Sequence, residues 1–231
     1  MEKNPLKPSD FVCFQNHHWL IAHKPPGLPI QPDQSEVPDF LTALQAYTHH
    51  ALHLLTRLDR PVSGLVLLIK SKTYFAYFQQ LLSDYKVQKT YLALTGQRPQ
   101  ENEGEFIHWL EPSSHKNISK VSTTPFPGYQ KSHLQYQIIA SSERYHLWKI
   151  NLVTGRHHQI RAQLGYSGFP IQGDTKYGAP RANRSHFIHL HAAKIEFPHP
   201  VSNHQEIYKA APSLDVGLWR LFQSEFTSLG L

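Results

Sequence analysis

The sequence predicts an α+β fold with a mixed, largely antiparallel β-sheet flanked by helices and loops. Segments typical of strands outnumber those typical of helices, and the helices are scattered without the regular strand–helix alternation of a parallel α/β protein. The chain has 231 residues, 40% of them hydrophobic, which is enough for a sizeable core. We therefore expect one domain over residues 1–231.

Helices are predicted where apolar residues recur at the 3.6-residue spacing of an amphipathic helix. This spacing predicts helices over residues 36–50, 71–85 and 213–226. In the second of these, Ser71 is expected to cap the N-terminus. A further short helix is predicted within residues 155–168, with Gly165 as its C-cap.

Strands are predicted where apolar residues alternate with polar ones, or form short runs bounded by glycine and proline. These segments are residues 19–22, 64–70, 87–96, 104–111, 132–140, 144–155 and 186–197. Residues 112–130 are polar and basic, without a clear period, and we expect a long loop there. Long loops in compact domains are often functional.

The positive charge of the chain is concentrated in its second half. The net charge is +6, and between Pro112 and Gly173 the only acidic residue is Glu143. The same span holds seven basic residues: Lys116, Lys120, Lys131, Arg144, Lys149, Arg156 and Arg161. Such a region attracts polyanions, of which RNA is the commonest inside cells, although a solubilising face has the same composition.

Other features exclude several classes of protein. The single cysteine, Cys13, excludes an intramolecular disulfide and a cysteine-rich zinc site. The first ten residues lack the apolar stretch of a signal peptide, and no apolar run approaches the length of a membrane span. We expect a cytoplasmic protein that does not enter membranes.

One short segment places a single carboxylate between two arginines. Asp59 lies between Arg57 and Arg60, directly before the apolar run at residues 65–69. Taken alone, this triplet is typical of an exposed ion pair. The alternative is an acid that is held ionised for chemistry.

Five segments in a fixed order decide between these alternatives. They are TRLDRPVSG (56–64), KTYLAL (89–94), TGRHHQIR (154–161), GDTKYG (173–178) and LHAAKIEFPHP (190–200). With the opening HKPPGLPIQP (23–32), they resemble the RluA family of pseudouridine synthases, over about residues 11–200. The resemblance implies a pseudouridine-synthase-like sheet and an enzyme that isomerises uridine within RNA.

The sequence departs from the family pattern at a few positions of these motifs. His23 stands where asparagine is usual, Pro61 and Val62 replace an acidic residue and a threonine, and His157 replaces a common threonine. None of these changes removes a charged group that the chemistry needs. They therefore bear on the choice of substrate more than on activity.

The resemblance assigns the catalytic nucleophile to Asp59 and its counter-charge to Arg161. Breaking a glycosidic bond needs a carboxylate that is ionised within a shielded pocket. Burial alone disfavours the ionised form, whereas a cation at about 4 Å favours it by about 4 kcal/mol, or roughly three pKa units, at an effective dielectric near 20. Isomerisation involves no redox step and no net hydrolysis, so we expect no cofactor.

The resemblance also assigns the groups that hold the base. Tyr91 stacks on the uracil, worth about 1–3 kcal/mol, with its hydroxyl near the C5 proton, and Leu190 backs the base from the other side. The target base leaves its stack at a cost of a few kcal/mol, and Arg57 fills the gap.

Recognition of the RNA is expected to come from the same domain. The resemblance begins near Phe11, so we expect no separate RNA-binding domain of the S4 type, and no obligatory protein partner is evident. The basic residues expected to contact RNA are Arg156, Lys116, Lys120, Lys131 and Lys176. The family acts on tRNA or large-subunit ribosomal RNA, and the sequence does not select between them.

Two other functions fit parts of the sequence. The 17 histidines include His157-His158 and the pair His189 and His191, which could ligate zinc. However, no H-E-x-x-H segment occurs, so we expect no metal. An RNA-binding module without catalysis would use the basic region but would not need Asp59, Tyr91 and Arg161 together.

Overall fold

The computed structural model describes residues 7–33, 37–112, 117–184 and 187–231. The strands are β1 Val12–Gln15, β2 Trp19–Lys24, β3 His53–Leu54, β4 Ser63–Ile69, β5 Gln88–Thr95, β6 Glu103–Leu110, β7 Val121–Ser122, β8 Gln130–Ser141, β9 His146–Leu152, β10 Leu190–Pro198 and β11 Gln205–Lys209. The α-helices are α1 Phe40–Thr48, α2 Lys72–Ser83, α3 Gln159–Tyr166 and α4 Gln223–Ser228. Short 3-10 helices cover Pro8–Phe11, Thr175–Tyr177 and Trp219–Phe222.

The strands form one 11-stranded sheet in the order β1-β2-β4-β10-β5-β9-β8-β6-β7, with β3 paired to β4 and β11 to β10. The neighbours in this sheet are antiparallel except β4 and β10, which are parallel. The predicted α+β class with a mixed, largely antiparallel sheet is therefore confirmed.

The parallel contact between β4 and β10 depends on a glycine. Gly64 pairs with Ala192, and a Cβ atom on Gly64 would lie 2.3 Å from the Ala192 carbonyl oxygen. Its φ of +118° is also one that other residues rarely adopt. The close approach brings the start of β10, with Leu190, beside the loop that precedes β4.

The core lies on both faces of the sheet. One face packs against α1 and α3, whose Leu44 and Leu164 are fully buried, and its hydrophobic cluster also contains Leu58, Tyr91 and Leu190. The other face is covered by α2 and by the C-terminal segment. The site residues predicted from the motifs therefore belong to the α1/α3 side.

The helix boundaries agree in part with the sequence predictions. Ser71 caps α2 as expected, accepting a hydrogen bond from the Tyr74 N–H at 3.2 Å. Gly165 is not the C-cap of α3, because the helix continues through it to Tyr166. A Cβ on Gly165 would lie 2.4 Å from the Tyr177 carbonyl oxygen, so the glycine serves close packing instead.

The predicted closing helix over residues 213–226 is wrong in its first half. Helical structure begins only at Trp219, because Gly217 has a left-handed φ of +62° and a Cβ there would meet the His189 ring at 2.3 Å. Leu221 is 55% exposed, whereas Phe222 and Phe226 are buried.

The predicted loop over residues 112–130 contains the two-residue strand β7, which pairs with the end of β6. Lys116 lies outside the described residues. None of the helices in the described ranges is long and apolar enough to span a bilayer.

Candidate active site

A cavity of about 640 Å³ opens beside the junction of β4, β5 and β10. The structure brings the three predicted catalytic residues, Asp59, Tyr91 and Arg161, together in its wall. Leu190 and Arg57 line the same cavity. These five residues come from four segments that are far apart in the sequence, with Arg57 and Asp59 in the same one, and the fold makes the segments neighbours.

Asp59 lies on the loop between β3 and β4, and two apolar side chains anchor that loop. Leu58 and Val62 are buried in the core, and the Val62 N–H closes a turn on the Asp59 carbonyl at 3.0 Å. The Asp59 side chain between them points outward and keeps 27% of its surface exposed. Its carboxylate therefore faces the cavity while its backbone is fixed.

The two neighbouring arginines have other roles than pairing with this acid. Arg60 donates from Nε to the Gly27 carbonyl at 3.0 Å and lies 3.5 Å from the Asp33 carboxylate. Arg57 is exposed at the rim of the cavity. The local ion pair that the triplet alone suggested is replaced by a partner 102 positions away.

That partner is Arg161, which is clamped between two carboxylates. Its NH1 lies 2.9 Å from Asp59 Oδ2, while its Nε and NH2 donate to Asp174 Oδ2 and Oδ1 at 2.7 and 2.9 Å. Arg161 and Asp174 are nearly inaccessible to solvent. Burial acts to lower the pKa of Arg161, but its hydrogen bonds and charge interactions with both acids raise it overall. The guanidinium is therefore permanently charged and held by a bidentate pair.

A chain of hydrogen bonds leads to His158, whose ring lies beside the same carboxylate. The Ser119 N–H donates to the Tyr177 hydroxyl at 2.9 Å, so the hydroxyl proton is available to His158 Nδ1, also at 2.9 Å. If Nδ1 accepts, the ring proton resides on Nε2. His158 Nε2 lies 3.4 Å from Asp59 Oδ2, so this nitrogen is the one on the side of that oxygen. The hydrogen-bonded chain from Ser119 through Tyr177 to His158 is called the relay below.

His158 is neutral in this arrangement. Burial, together with the nearby charge of Arg161, lowers its pKa to about 2. Its contact with Asp59 is therefore dipolar and not an ion pair. One carboxylate oxygen thus lies 2.9 Å from a charged guanidinium nitrogen and 3.4 Å from a nitrogen of a neutral imidazole.

The turn before α3 is shaped by the motif that contains these residues. The Gln159 side-chain oxygen accepts from Thr154 Oγ1 at 2.8 Å and from the Arg156 N–H at 2.9 Å, and its amide donates to the His133 carbonyl at 3.1 Å. His158 adopts a left-handed φ of 51° as the N-cap. This bonding presents His158 and then Arg161 to the cavity.

A buried lysine supports the Asp59 loop from below. Lys24 is fully buried, and its Nζ donates to the carbonyls of Pro25, Leu28 and Arg60 at 2.9, 3.0 and 3.2 Å. Burial lowers its pKa to about 7, while the charge of Asp59 acts to raise it. Three carbonyl acceptors match the three donors of an ammonium group, which ties the segment 25–28 to the loop that carries Asp59.

Tyr91 and Leu190 form the apolar wall of the cavity. Both are almost completely buried. Burial and the charge of Asp59 raise the pKa of Tyr91 above its usual value, so the phenol is protonated at neutral pH. The wall offers an aromatic ring and a hydroxyl donor beside the carboxylate.

Four of the basic residues predicted to contact RNA are exposed: Lys120, Lys131, Arg156 and Lys176. Arg156 lines the cavity and donates from Nε to the Lys131 carbonyl at 3.3 Å, while the Lys131 side chain is exposed. Lys120 is paired with Glu111 at 3.5 Å, so it has a partner that the acid-free span did not suggest. Lys116 lies outside the described residues.

Hydrogen bonds hold the described end of the basic loop close to the site. Ser119 Oγ donates to the His157 carbonyl at 2.9 Å, and the Ser119 N–H is the start of the relay through Tyr177. Lys176 donates to the Asn117 carbonyl at 3.1 Å. Residues 117–119 therefore pack against the segments that carry His158 and Tyr177.

The histidines that raised the zinc alternative are engaged within the protein. His157 bonds Ser119 Oγ through Nδ1 at 2.9 Å. His189 Nε2 accepts from a backbone N–H at 2.9 Å, and both His191 nitrogens have partners, Ser63 Oγ at 2.8 Å and a carbonyl at 2.9 Å. Within the described ranges, no group of three metal-ligating side chains is assembled.

Sequence reasoning missed four residues that hold the site: Lys24, His158, Asp174 and Tyr177. Each belongs to a motif that was recognised, but none was given a role in this reaction, and His158 was considered only as a possible zinc ligand. Asp174 had a detectable signal, because it is the first acid after the long basic span that contains Arg161. The relay through Tyr177 had none, since it depends on packing between distant segments.

Comparison with known proteins identifies the family. The family model described as RNA pseudouridylate synthase matches residues 18–166. A Bacillus subtilis protein named as an uncharacterized RNA pseudouridine synthase is 30% identical over 83% of this chain, which spans 65% of that relative. The tRNA pseudouridine synthase C of Vibrio parahaemolyticus is 26% identical over 87% of this chain and 89% of its own length. The ribosomal large subunit pseudouridine synthase C of Vibrio vulnificus is 29% identical over 84% of this chain and 62% of its own length.

Solved structures agree in fold. Human RNA pseudouridylate synthase domain containing 4 superposes with a TM-score of 0.74 at 24% identity, covering 96% of this chain and 94% of its own. Human RNA pseudouridylate synthase domain containing 1 gives 0.73 at 18% identity. The chain belongs to the RNA pseudouridine synthase family, and the resemblance to the RluA family drawn from its motifs is confirmed.

Proposed function

We propose that this protein converts uridine to pseudouridine within a structured RNA, with Asp59 as the nucleophile. The observation that carries the proposal is the setting of the Asp59 carboxylate. It faces a cavity large enough for a nucleoside, next to a clamped guanidinium and beside an aromatic wall. A surface ion pair would need neither the cavity nor Asp174.

The proposed reaction is an isomerisation without net gain or loss of atoms. The bond between N1 of uracil and C1′ of the ribose breaks, with Asp59 attacking C1′ or stabilising an oxocarbenium-like species. The detached uracil turns, and C5 forms the new bond to C1′, releasing the Asp59 carboxylate where it had bonded to C1′. C5 then loses its proton, and N1 takes one up, so no cofactor is required.

The remaining residues bind and position the base. Tyr91 stacks on the uracil and Leu190 supports its other side. Because the Tyr91 phenol is protonated at neutral pH, it must release its own proton before it can accept the proton from C5. Arg57, exposed at the rim, fills the space that the extruded base leaves in the RNA.

The substrate is proposed to be tRNA or large-subunit ribosomal RNA. Two of the relatives described above are named as a tRNA and a ribosomal large subunit pseudouridine synthase. The basic side chains around the cavity suit an RNA backbone. A cytoplasmic location follows as part of the same proposal, because these RNAs are found there.

The proposal is tested by single-turnover release of tritium from C5-labelled uridine in tRNA and ribosomal RNA transcripts, with pseudouridine identified in the product. The Asp59→Asn variant is the control. Tritium release by the wild type alone supports the proposal. Tight binding of RNA without release would instead assign the protein to RNA binding without catalysis. Pseudouridine mapping in cells that lack the protein then identifies the RNA and the uridine.

A further inference from the structure

One cationic side chain in the cavity wall has no role in the reaction proposed above. Lys89 lies on β5, two positions before Tyr91, and both side chains line the cavity. It is partly buried, unlike the exposed lysines around the rim. Its ammonium lies close to Gly155, where an added Cβ would be 3.2 Å from Nζ.

Within the described ranges, Lys89 has no counter-charge. Its ammonium pairs with no carboxylate and donates no hydrogen bond there, whereas the other site cation, Arg161, is held by two acids. Burial alone lowers the pKa of Lys89 from the ordinary lysine value. A half-desolvated cation without a partner is unfavourable, and an anion brought by a ligand removes that cost.

We propose that Lys89 binds a phosphodiester of the RNA backbone directly beside the extruded uridine. The inference rests on the proposed function, because the anion arrives with the nucleotide that occupies the cavity. The location supports a phosphate more than the base. Tyr91 and Leu190 provide the apolar surfaces that a uracil needs, while Lys89 lies next to the glycine-containing turn at residues 154–156.

The small residue at Gly155 is part of this site. A side chain at Gly155 would crowd the Lys89 ammonium, whereas the glycine leaves room beside it, and both residues line the cavity. Arg57 and Arg156 also line the cavity, and both are exposed. An RNA backbone that enters would therefore meet exposed cations first and the partly buried ammonium of Lys89 after them, as its base turns inward.

The test measures binding of a synthetic uridine stem-loop, taken from tRNA or large-subunit ribosomal RNA. In a series of oligonucleotides, one linkage at a time becomes an uncharged methylphosphonate, with 2′-O-methyl ribose on its 5′ side to prevent cleavage. The reference RNA carries the 2′-O-methyl group and an ordinary phosphate. Wild type, Lys89→Gln, Lys89→Arg and the control Lys72→Gln are compared at one salt concentration. Lys72 is exposed and lies outside the cavity wall.

We expect neutralisation of one linkage adjacent to the target uridine to weaken binding to the wild type about 10- to 100-fold, as for a hydrogen bond between charged groups. For Lys89→Gln, neutralising the same linkage should not weaken RNA binding further. For Lys89→Arg and Lys72→Gln, neutralising it should weaken binding as it does for the wild type. If no single methylphosphonate substitution weakens binding to the wild type, the proposal is overturned whatever the variants show. Equal losses in wild type and Lys89→Gln also overturn it.

Tritium release from the same RNA separates this inference from the proposed function. If tritium is released but the effect of neutralising a linkage does not depend on Lys89, the phosphate site is refuted and the catalytic proposal stands. Coupling without release leaves the phosphate site supported and removes the catalytic proposal.

Discussion

Two charged regions contribute residues to the wall of one cavity, and they are built in opposite ways. In the inner cluster, defined as Asp59, His158, Arg161, Asp174 and Tyr177, the polar groups have fixed partners within the protein. In the basic rim, defined as Lys120, Lys131, Arg156 and Lys176, the side chains are exposed. Arg156 and Lys176 donate to backbone carbonyls, and Lys120 lies 3.5 Å from the half-buried Glu111.

The difference follows from what water does for a charge. A buried ion needs a fixed partner, because solvent no longer stabilises it. An exposed lysine needs none and remains free to meet a mobile polyanion, at a strength set by salt. We therefore expect single substitutions in the inner cluster to alter the chemistry, and substitutions in the rim to alter binding.

The largest effect is expected for Asp59→Asn in the inner cluster. An amide is a poor nucleophile, so turnover should be abolished, whereas RNA affinity should change little because phosphate contacts dominate it. Single-turnover tritium release and equilibrium binding measure the two quantities. Substantial pseudouridine formation by this variant, with deamidation excluded by mass spectrometry, would refute the role of Asp59.

Arg161→Ala should come next. It removes the cation from Asp59 and leaves Asp174 as a buried carboxylate without its bidentate partner. Activity should fall strongly. Because the ionised carboxylate is then less stable, the pH optimum of the remaining activity should move upward.

Arg161→Lys is the matched control for this variant. It keeps a point charge but lacks the planar fork that bridges both acids, so only partial rescue is expected. Near-full activity of Arg161→Ala with an unshifted pH profile would mean that the guanidinium is structural only.

A smaller effect is expected for Tyr177→Phe, which tests the contribution of one hydroxyl group within the inner cluster. The ring, which lies 5.2 Å from the Arg161 guanidinium carbon, is retained, but the hydroxyl of the relay is removed. His158 then lacks the bond that selects its tautomer. We expect kcat to fall about 5- to 30-fold, equivalent to about 1–2 kcal/mol, with KM little changed.

His158→Gln tests the same relay from its other end. If Tyr177 acts only through His158, adding Tyr177→Phe to the His158→Gln variant should lower kcat little further. Additive losses in the double variant would show that the hydroxyl serves packing of residue 119 and not the relay.

The smallest effect on chemistry is expected for the triple variant with alanine in place of Lys116, Lys120 and Lys131. The first two residues belong to the predicted loop over residues 112–130, and Lys131 follows it directly. RNA binding should weaken, and the slope of log affinity against log salt should become shallower by about 0.7–0.9 for each phosphate that the variant no longer binds. Turnover at saturating RNA should match the wild type. A triple variant of Lys72, Lys209 and Arg220, all outside the cavity wall, removes the same charge as a control. An unchanged slope would place the RNA surface elsewhere.

Local sequence patterns predicted much of the fold. The apolar run of β4 is completely buried, as its composition indicates, and the spacing in α2 produced a helix with the expected cap. The predictions that failed did so where long-range packing overrides local preference. Gly165 continues a helix because Tyr177 packs against it, and the closing helix is shortened by Gly217 against His189.

The sequence by itself determined which groups are available and in what order. It supplied an acid, an aromatic residue and a cation in motifs that specify the family, and it concentrated positive charge after Pro112. These are properties of composition and local order, so they can be read without the fold.

The tertiary structure decided which of these groups are partners. Asp59 lies beside two arginines in sequence, yet it pairs with Arg161, 102 positions away, and Arg161 is held by Asp174. The physical reason is that a hydrogen bond or ion pair depends on atomic positions within a few tenths of an ångström. Those positions are set when β4 pairs with β10 and α3 packs against the segment 175–177, and no local propensity encodes that packing.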